Sequence, residues 1–210
     1  VRNGKIGLIL SNTNSPDEVY FYDGNSLSQQ SHHNSELLSS RKILKTETIS
    51  FKAADGEELF GMMIKPDNFD PSKQYPLIIR MHGGPVSQYG LYFNYDWQLF
   101  AANGYVVMAI NPRGSSGRGL NFQKMIFADW GNVDADDISQ LADYAISLGY
   151  IDENRLGLGG WSYGGMLTNY VIAKDPRFKA ATSGAGISNI LSGFGDDQYI
   201  RDYIAEIGTP

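Results

Sequence analysis

Seven residues, Gly159-Gly160-Trp161-Ser162-Tyr163-Gly164-Gly165, have the types and spacing that nucleophilic chemistry requires. They contain the pattern Gly-x-Ser-x-Gly with Ser162 at its centre. Ahead of them, Arg155-Leu156-Gly157-Leu158 is short and bounded by turn residues, which suits a buried strand. Behind them, residues 166–172 carry apolar side chains at i, i+1, i+4 and i+5, which suits one face of a helix. A serine on so sharp a strand-to-helix turn needs small neighbours, and Gly160 and Gly164 supply them. Such a turn pushes the hydroxyl clear of the sheet, beside helix N–H groups that favour a developing negative charge. The pattern predicts a nucleophile elbow, with Ser162 as the nucleophile. In a chain with 24 glycines the pentapeptide also arises by chance, so its weight comes from the strand before and the helix after.

An acyl-transfer serine also needs donors aimed at the oxyanion of its tetrahedral intermediate. His82-Gly83-Gly84-Pro85 directly follows a predicted strand, Pro76 to Met81, and its glycines allow backbone N–H groups to face the crevice at the strand's carboxyl end. The expected pair is the amide of Tyr163, next after the nucleophile, and that of Gly84. His82 is read as shaping this loop and not as a base.

The elements that must carry these loops are legible in order. From Tyr75 onward, apolar strands alternate with helices: a strand to Met81, a helix at 95–102, a strand at 105–110 and a short helix at 120–127. A long helix follows at 134–148, then the elbow and a further strand at 180–183. In the long helix Ile138, Leu141, Ala142, Ala145 and Leu148 share a face, and acidic residues crowd the first turn, where they suit the helix dipole. This alternation predicts an α/β, doubly wound, mostly parallel sheet. A hairpin with its turn at Asp55-Gly56 precedes it. Residues 1–45 read differently, as short strands at 6–10 and 19–22, a turn at Asp23-Gly24-Asn25 and a polar linker from Ser39 to Thr46. Two or three such strands cannot bury a core alone. The expected division is residues 1–45, part of a larger β domain with its linker, and residues 46–210, a hydrolase-like domain. His32 and His33 are adjacent, so a strand would point them to opposite faces; solvent-exposed histidines are expected.

Composition narrows the partners. The 210 residues are 42% hydrophobic and 19% charged, enough for a sizeable core. A net charge of −6 without a Lys/Arg run argues against nucleic acid and anionic membrane surfaces. No apolar run approaches the roughly 20 residues of a membrane helix. The absence of cysteine excludes disulfides, thiolate metal sites and a cysteine nucleophile, and leaves the compartment open, with the cytoplasm weakly favoured.

Taken together, His82-Gly83-Gly84-Pro85, Asn111-Pro112-Arg113-Gly114-Ser115, Asp129-Trp130-Gly131 and Gly160-Trp161-Ser162-Tyr163-Gly164-Gly165 resemble the prolyl oligopeptidase family of serine peptidases. The likeness is strongest to its acylaminoacyl-peptidase and dipeptidyl-peptidase-like branch and covers residues 46–210. It implies an α/β-hydrolase fold preceded by a β-propeller, of which the first strands resemble the last blade. It also implies short peptides as substrates, with neither cofactor nor metal, and leaves the oligomeric state open. The Asn111–Gly114 and Asp129–Gly131 segments would serve as scaffold. Arg113 is a substrate-clamp candidate, although a guanidinium beside acidic loops is more often a fixed ion pair. Phe194 and Tyr199 fall where the family builds its apolar pocket for the side chain before the scissile bond, where aromatic core is the competing reading.

One departure stands out: no histidine follows Ser162, although such a site needs a base and a carboxylate in the order Ser, Asp, His. Asp175, Asp196, Asp197 and Asp202 come too soon after the elbow to be the family's acid. The expectation is a fragment whose acid and base lie beyond Pro210. An esterase or lipase on the same fold and a non-catalytic hydrolase-like binding module are the alternatives.

Overall fold

Strands that are apolar on both sides need cover on both sides, and here the cover builds a layered α/β sheet. The structure is a computed structural model that describes residues 4–196 and 198–209, the side chain of Asp196 excepted. Asp197 therefore lies outside the described residues. Strands β1 (Ile6–Asn12), β2 (Ser15–Tyr22) and β3 (Leu27–Gln29) form an antiparallel sheet in sequence order. Such a sheet is consistent with a propeller-like blade. A short helix, α1 (Ser35–Ser40), then leads into the second unit.

That unit contains β4 (Thr46–Lys52), β5 (Glu58–Ile64), β6 (Tyr75–Met81), β7 (Val106–Ile110), β8 (Ile151–Trp161) and β9 (Phe178–Gly184), in the spatial order β4-β5-β7-β6-β8-β9. The β4–β5 hairpin and the β5–β7 pairing are antiparallel, and the pairings of β7, β6, β8 and β9 are parallel. Helix α2 (Tyr95–Ala102) covers one face; Trp97 and Ala101 pack there with Met62, Ile64, Val107 and Ala109. Helices α4 (Val133–Ser147) and α5 (Tyr163–Lys174) cover the other, over Leu77, Ile79, Met108, Leu156 and Leu158. Each fully buried aliphatic side chain on these faces contributes about 1.5–3 kcal/mol. Helix α3 (Leu120–Gln123) runs into a 3-10 turn at Lys124–Ile126, so the helix expected over 120–127 is split. Helices α6 (Ile190–Asp196) and α7 (Ile200–Ile207) complete the chain.

One detail differs from the sequence expectation, and a second goes beyond it. Leu44, expected in the linker, is buried in the α2-side core, and both of its backbone polar groups bond the Gln98 side-chain amide. The acids in the first turn of α4 do not all face solvent: Asp134, and Asp137 one turn on, are fully buried. Position 134 stands at i−4 from Ile138 and i−7 from Leu141, in register with the apolar stripe, so the helix carries it inward.

Candidate active site

The connection from β6 through α2 to β7 goes to one side of β6, while β8 pairs on the other. The chain thus reverses its winding between β6 and β8, where open α/β sheets form their ligand crevice. Register completes the placement. Met81 lies opposite Gly160, and Trp161 opposite Gly184 on β9, so the loops after β6 and β8 leave the sheet side by side.

Ser162 sits at the junction of β8 and α5 with φ 58° and ψ −122°, a left-handed conformation that an L-residue adopts only under about 1–3 kcal/mol of strain. Its N–H donates to the Gly184 carbonyl, and its own carbonyl accepts from the Gly165 and Met166 amides. These three bonds hold the turn from both sides. The side chain is exposed. A β-carbon at Gly164 would stand 2.4 Å from the Met81 carbonyl oxygen, and one at Gly160 would stand 2.6 Å from the Gly164 backbone. The chain crossing therefore excludes any side chain at either position.

The loop after β6 packs directly on this turn. A β-carbon built on Gly83 would be 3.2 Å from Ser162 Cβ and 3.7 Å from its Oγ. Gly84 has φ +128°, a conformation open to glycine, and a β-carbon there would also meet the Val86 amide nitrogen at 2.7 Å. His82 braces the loop. A carbonyl can only accept, so Nδ1 donates to the Gly83 carbonyl (2.7 Å) and Nε2 accepts from the Ser115 hydroxyl (2.9 Å). Burial pushes the imidazole pKa below its ordinary value, against the pull of the Gly83 bond. His32 and His33 are exposed, in the turn before α1.

Ser162, Gly84, Tyr163 and Tyr199 line one cleft of about 560 Å3, together with Trp130, Trp161, Met166 and Ile187. The Tyr163 amide opens α5, where an N–H has no partner within the helix. Asp202 and Glu206 of α7 are on the cleft wall as well. Phe194 does not line it; the half-buried ring packs on Tyr203 with centroids 5.7 Å apart. Arg113 is elsewhere too. It is 5% exposed, its Nε and Nη2 bond the Asp137 carboxylate, and its Nη1 pairs with Asp55 in the β4–β5 turn. Committed to the buried Asp137 and the exposed Asp55, its guanidinium braces the loop after β7 against α4, the fixed ion pair that is the favoured reading of Arg113.

A group that the sequence reading passed over lies under the elbow. The buried Tyr163 hydroxyl donates to Asp134 Oδ2, and Asp134 Oδ1 accepts from the Gly131 amide at 2.9 Å. Trp130 stands edge-on to the Tyr163 ring, with centroids 5.2 Å apart, and its indole N–H donates to Glu206 at 3.2 Å. Burial raises the pKa of Asp134 against the lowering effect of these bonds, and burial also raises that of Tyr163, with Asp134 beside it. The phase of Asp134 on the apolar stripe was the available signal. Among the described residues, no group of three or more His, Asp or Glu side chains is arranged to hold a metal.

The fold is that of an α/β-hydrolase, with an exposed, strained serine at the end of an interior strand. The chain belongs to the prolyl oligopeptidase family, whose profile matches residues 91–210. It is 38% identical over 179 residues to YuxL, an uncharacterised peptidase of Bacillus subtilis, covering 84% of this chain and 27% of that protein. With human dipeptidyl peptidase 8 the identity is 35% over 167 residues, covering 75% of this chain and 18% of the relative. The acylaminoacyl peptidase of Pyrococcus horikoshii superposes with a TM-score of 0.90 at 31% identity, over 98% of this chain and 34% of that one. An acylaminoacyl peptidase solved with Z-Gly-Gly-Phe-chloromethyl ketone is similar to the same degree, at a TM-score of 0.90 and 31% identity. The chain thus spans about a quarter of the length of YuxL and about a third of the solved peptidases.

Proposed function

We propose that this chain carries the nucleophile and the oxyanion donors of a serine peptidase acting on short peptides. The observation that carries the reading is the strained, exposed Ser162 at the mouth of α5, sharing one cleft with Gly84 and Tyr163. Ser162 Oγ attacks the scissile carbonyl carbon, and the carbonyl π pair moves onto its oxygen. The Gly84 and Tyr163 amides stabilise that charge, a role typically worth about 10²–10³-fold in kcat per donor. The Oγ proton passes to a base and then to the leaving amine. Water repeats the sequence on the acyl-enzyme and frees Ser162.

The base and its orienting acid are assigned to residues of the longer protein beyond Pro210. Both ring nitrogens of His82 are engaged, with Gly83 and Ser115, and His32 and His33 lie in the turn before α1. The partial coverage of the related peptidases supports the same assignment. Tyr199 and Ile187 line the substrate side of the cleft, and family membership favours peptide amides over esters.

In the full-length protein, Ser162→Ala is expected to reduce peptide-amide turnover by about 10⁶-fold. The isolated 210-residue chain is expected to show negligible turnover and only slow fluorophosphonate labelling. Amide hydrolysis that survives Ser162→Ala removes the assignment.

A further inference from the structure

We infer that Asp134 is a positioning residue for the oxyanion site: it clamps the Tyr163 phenol, and through it the amide next after the nucleophile. The inference rests on the reading of Ser162 and the Tyr163 amide given above.

An oxyanion donor is useful only when its N–H points at the place where charge develops, within a fraction of an ångström. The Tyr163 amide sits on a residue whose N-terminal neighbour has φ 58°, so the peptide plane between them is held by strained backbone. Strain of this kind persists only where the surroundings over-determine it. On the chain side, the turn is held by the Gly184 carbonyl and by the Gly165 and Met166 amides. On the side-chain side, the hold comes from the Tyr163 ring, which is 4% exposed and tied at its far end to Asp134. The carboxylate is fully buried, and the partners described for it are donors without formal charge, the Tyr163 hydroxyl and the Gly131 amide. Its two oxygens thus tie the elbow helix to the Asp129–Gly131 loop. That loop is itself pinned by Trp130, whose ring packs on Tyr163 and whose N–H bonds Glu206 on the cleft wall.

A bracing acid for the fold would not require this connection. Asp137, one turn along the same helix, braces the fold through Arg113 without touching the elbow. Asp134 instead ends on the side chain of the donor residue itself.

The test uses the full-length protein with Asp134→Asn, Tyr163→Phe and the double variant. For each we would measure kcat and KM per titrated active site, the inhibition constant of a peptidyl boronic acid that forms a tetrahedral adduct, and Tm. Each single change is expected to lower kcat and boronate affinity together by about 10–100-fold, below the cost of deleting a donor. KM is expected to stay within about threefold, because the ground-state carbonyl leans less on the donor. Since Asp134 acts through Tyr163, the double variant should be no worse than the poorer single one. Should Asp134→Asn fail to fold, Tyr163→Phe carries the test, because it removes one hydroxyl and leaves the helix and the ring packing. Additive losses, a fall in Tm with kcat per active site unchanged, or Tyr163→Phe at full activity and full boronate affinity would each overturn the inference. Turnover surviving Ser162→Ala would instead strike the nucleophile assignment, whatever Asp134 does.

Discussion

The two sheets of this chain are held by opposite means. Among the described residues from 4 to 40 a single one is buried, and it is a carboxylate, Glu18. Ile9 is 70% exposed, and Val19 and Leu27 are exposed as well. In the six-stranded sheet all five residues of β7 are buried, and helices lie on both faces. The first sheet has a hydrogen-bonded ladder without a core, and the second has both. Three strands without a buried apolar face are marginal alone and depend on neighbours. The six-stranded unit supplies its own apolar burial, and it is the unit that holds a serine in strained backbone.

Buried carboxylates sharpen the contrast. Glu18 accepts hydrogen bonds from the Ser31 hydroxyl and from the backbone and side chain of Asn34, the residue that leads into α1. The Ser31 bond and then the Asn34 amide hold its pKa down at about 2. Asp137 is pushed the other way by burial, up to about 6, against the pull of Arg113. One acid is stabilised as an anion by local donors at a sheet margin. The other is an anion whose desolvation in a core outweighs its partner.

The largest expected effect tests whether the first sheet stands alone. A peptide of residues 1–40 should show no cooperative unfolding by circular dichroism, whereas the chain without those residues should keep the denaturation midpoint of the whole. A cooperative transition in the peptide would erase the contrast.

Next comes Arg113→Leu, which strands Asp137 in the core and should lower unfolding stability by about 3–5 kcal/mol at pH 8. The contribution from the raised pKa of Asp137 is fully present below its ordinary 3.8 and is lost as pH rises through about 6. The variant should therefore lose less at pH 5, where Asp137 takes up a proton. Urea titrations at the two pH values give both numbers, and an equal loss at each would remove Asp137 from the account.

The smallest effect belongs to Glu18→Gln. Its depressed pKa contributes stability that is present above about 4.5 and lost as pH falls towards 2. At neutral pH the variant should shift the first sheet and the start of α1 by little, read by amide hydrogen exchange at Ser31 and Asn34. At pH 2 it should match the parent.

Much of this protein was legible in its order of residues. Strand and helix alternation from Tyr75, the turn at Ser162 and the Gly-Gly loop after β6 follow from period, apolar runs and glycine placement, which are local properties. The same local reading leaves Arg113 between a fixed ion pair and a clamp and Phe194 between core and pocket, and it places Leu44 in a linker. In each case the deciding fact is what the side chain meets: Asp137 and Asp55 for Arg113, Tyr203 for Phe194, Gln98 for Leu44, and for Arg113 and Leu44 those partners lie far along the chain.

The sequence by itself determined the class of fold, the serine and the glycines that let two loops approach it. Only the tertiary structure decided that β6 and β8 lie side by side, so that the Gly84 loop meets the elbow, and that Asp134 turns inward to the Tyr163 hydroxyl. The physical reason is range. Backbone conformation and helical phase are written in neighbouring residues, whereas the partner of a buried polar group is chosen by strand order and helix packing across dozens of them.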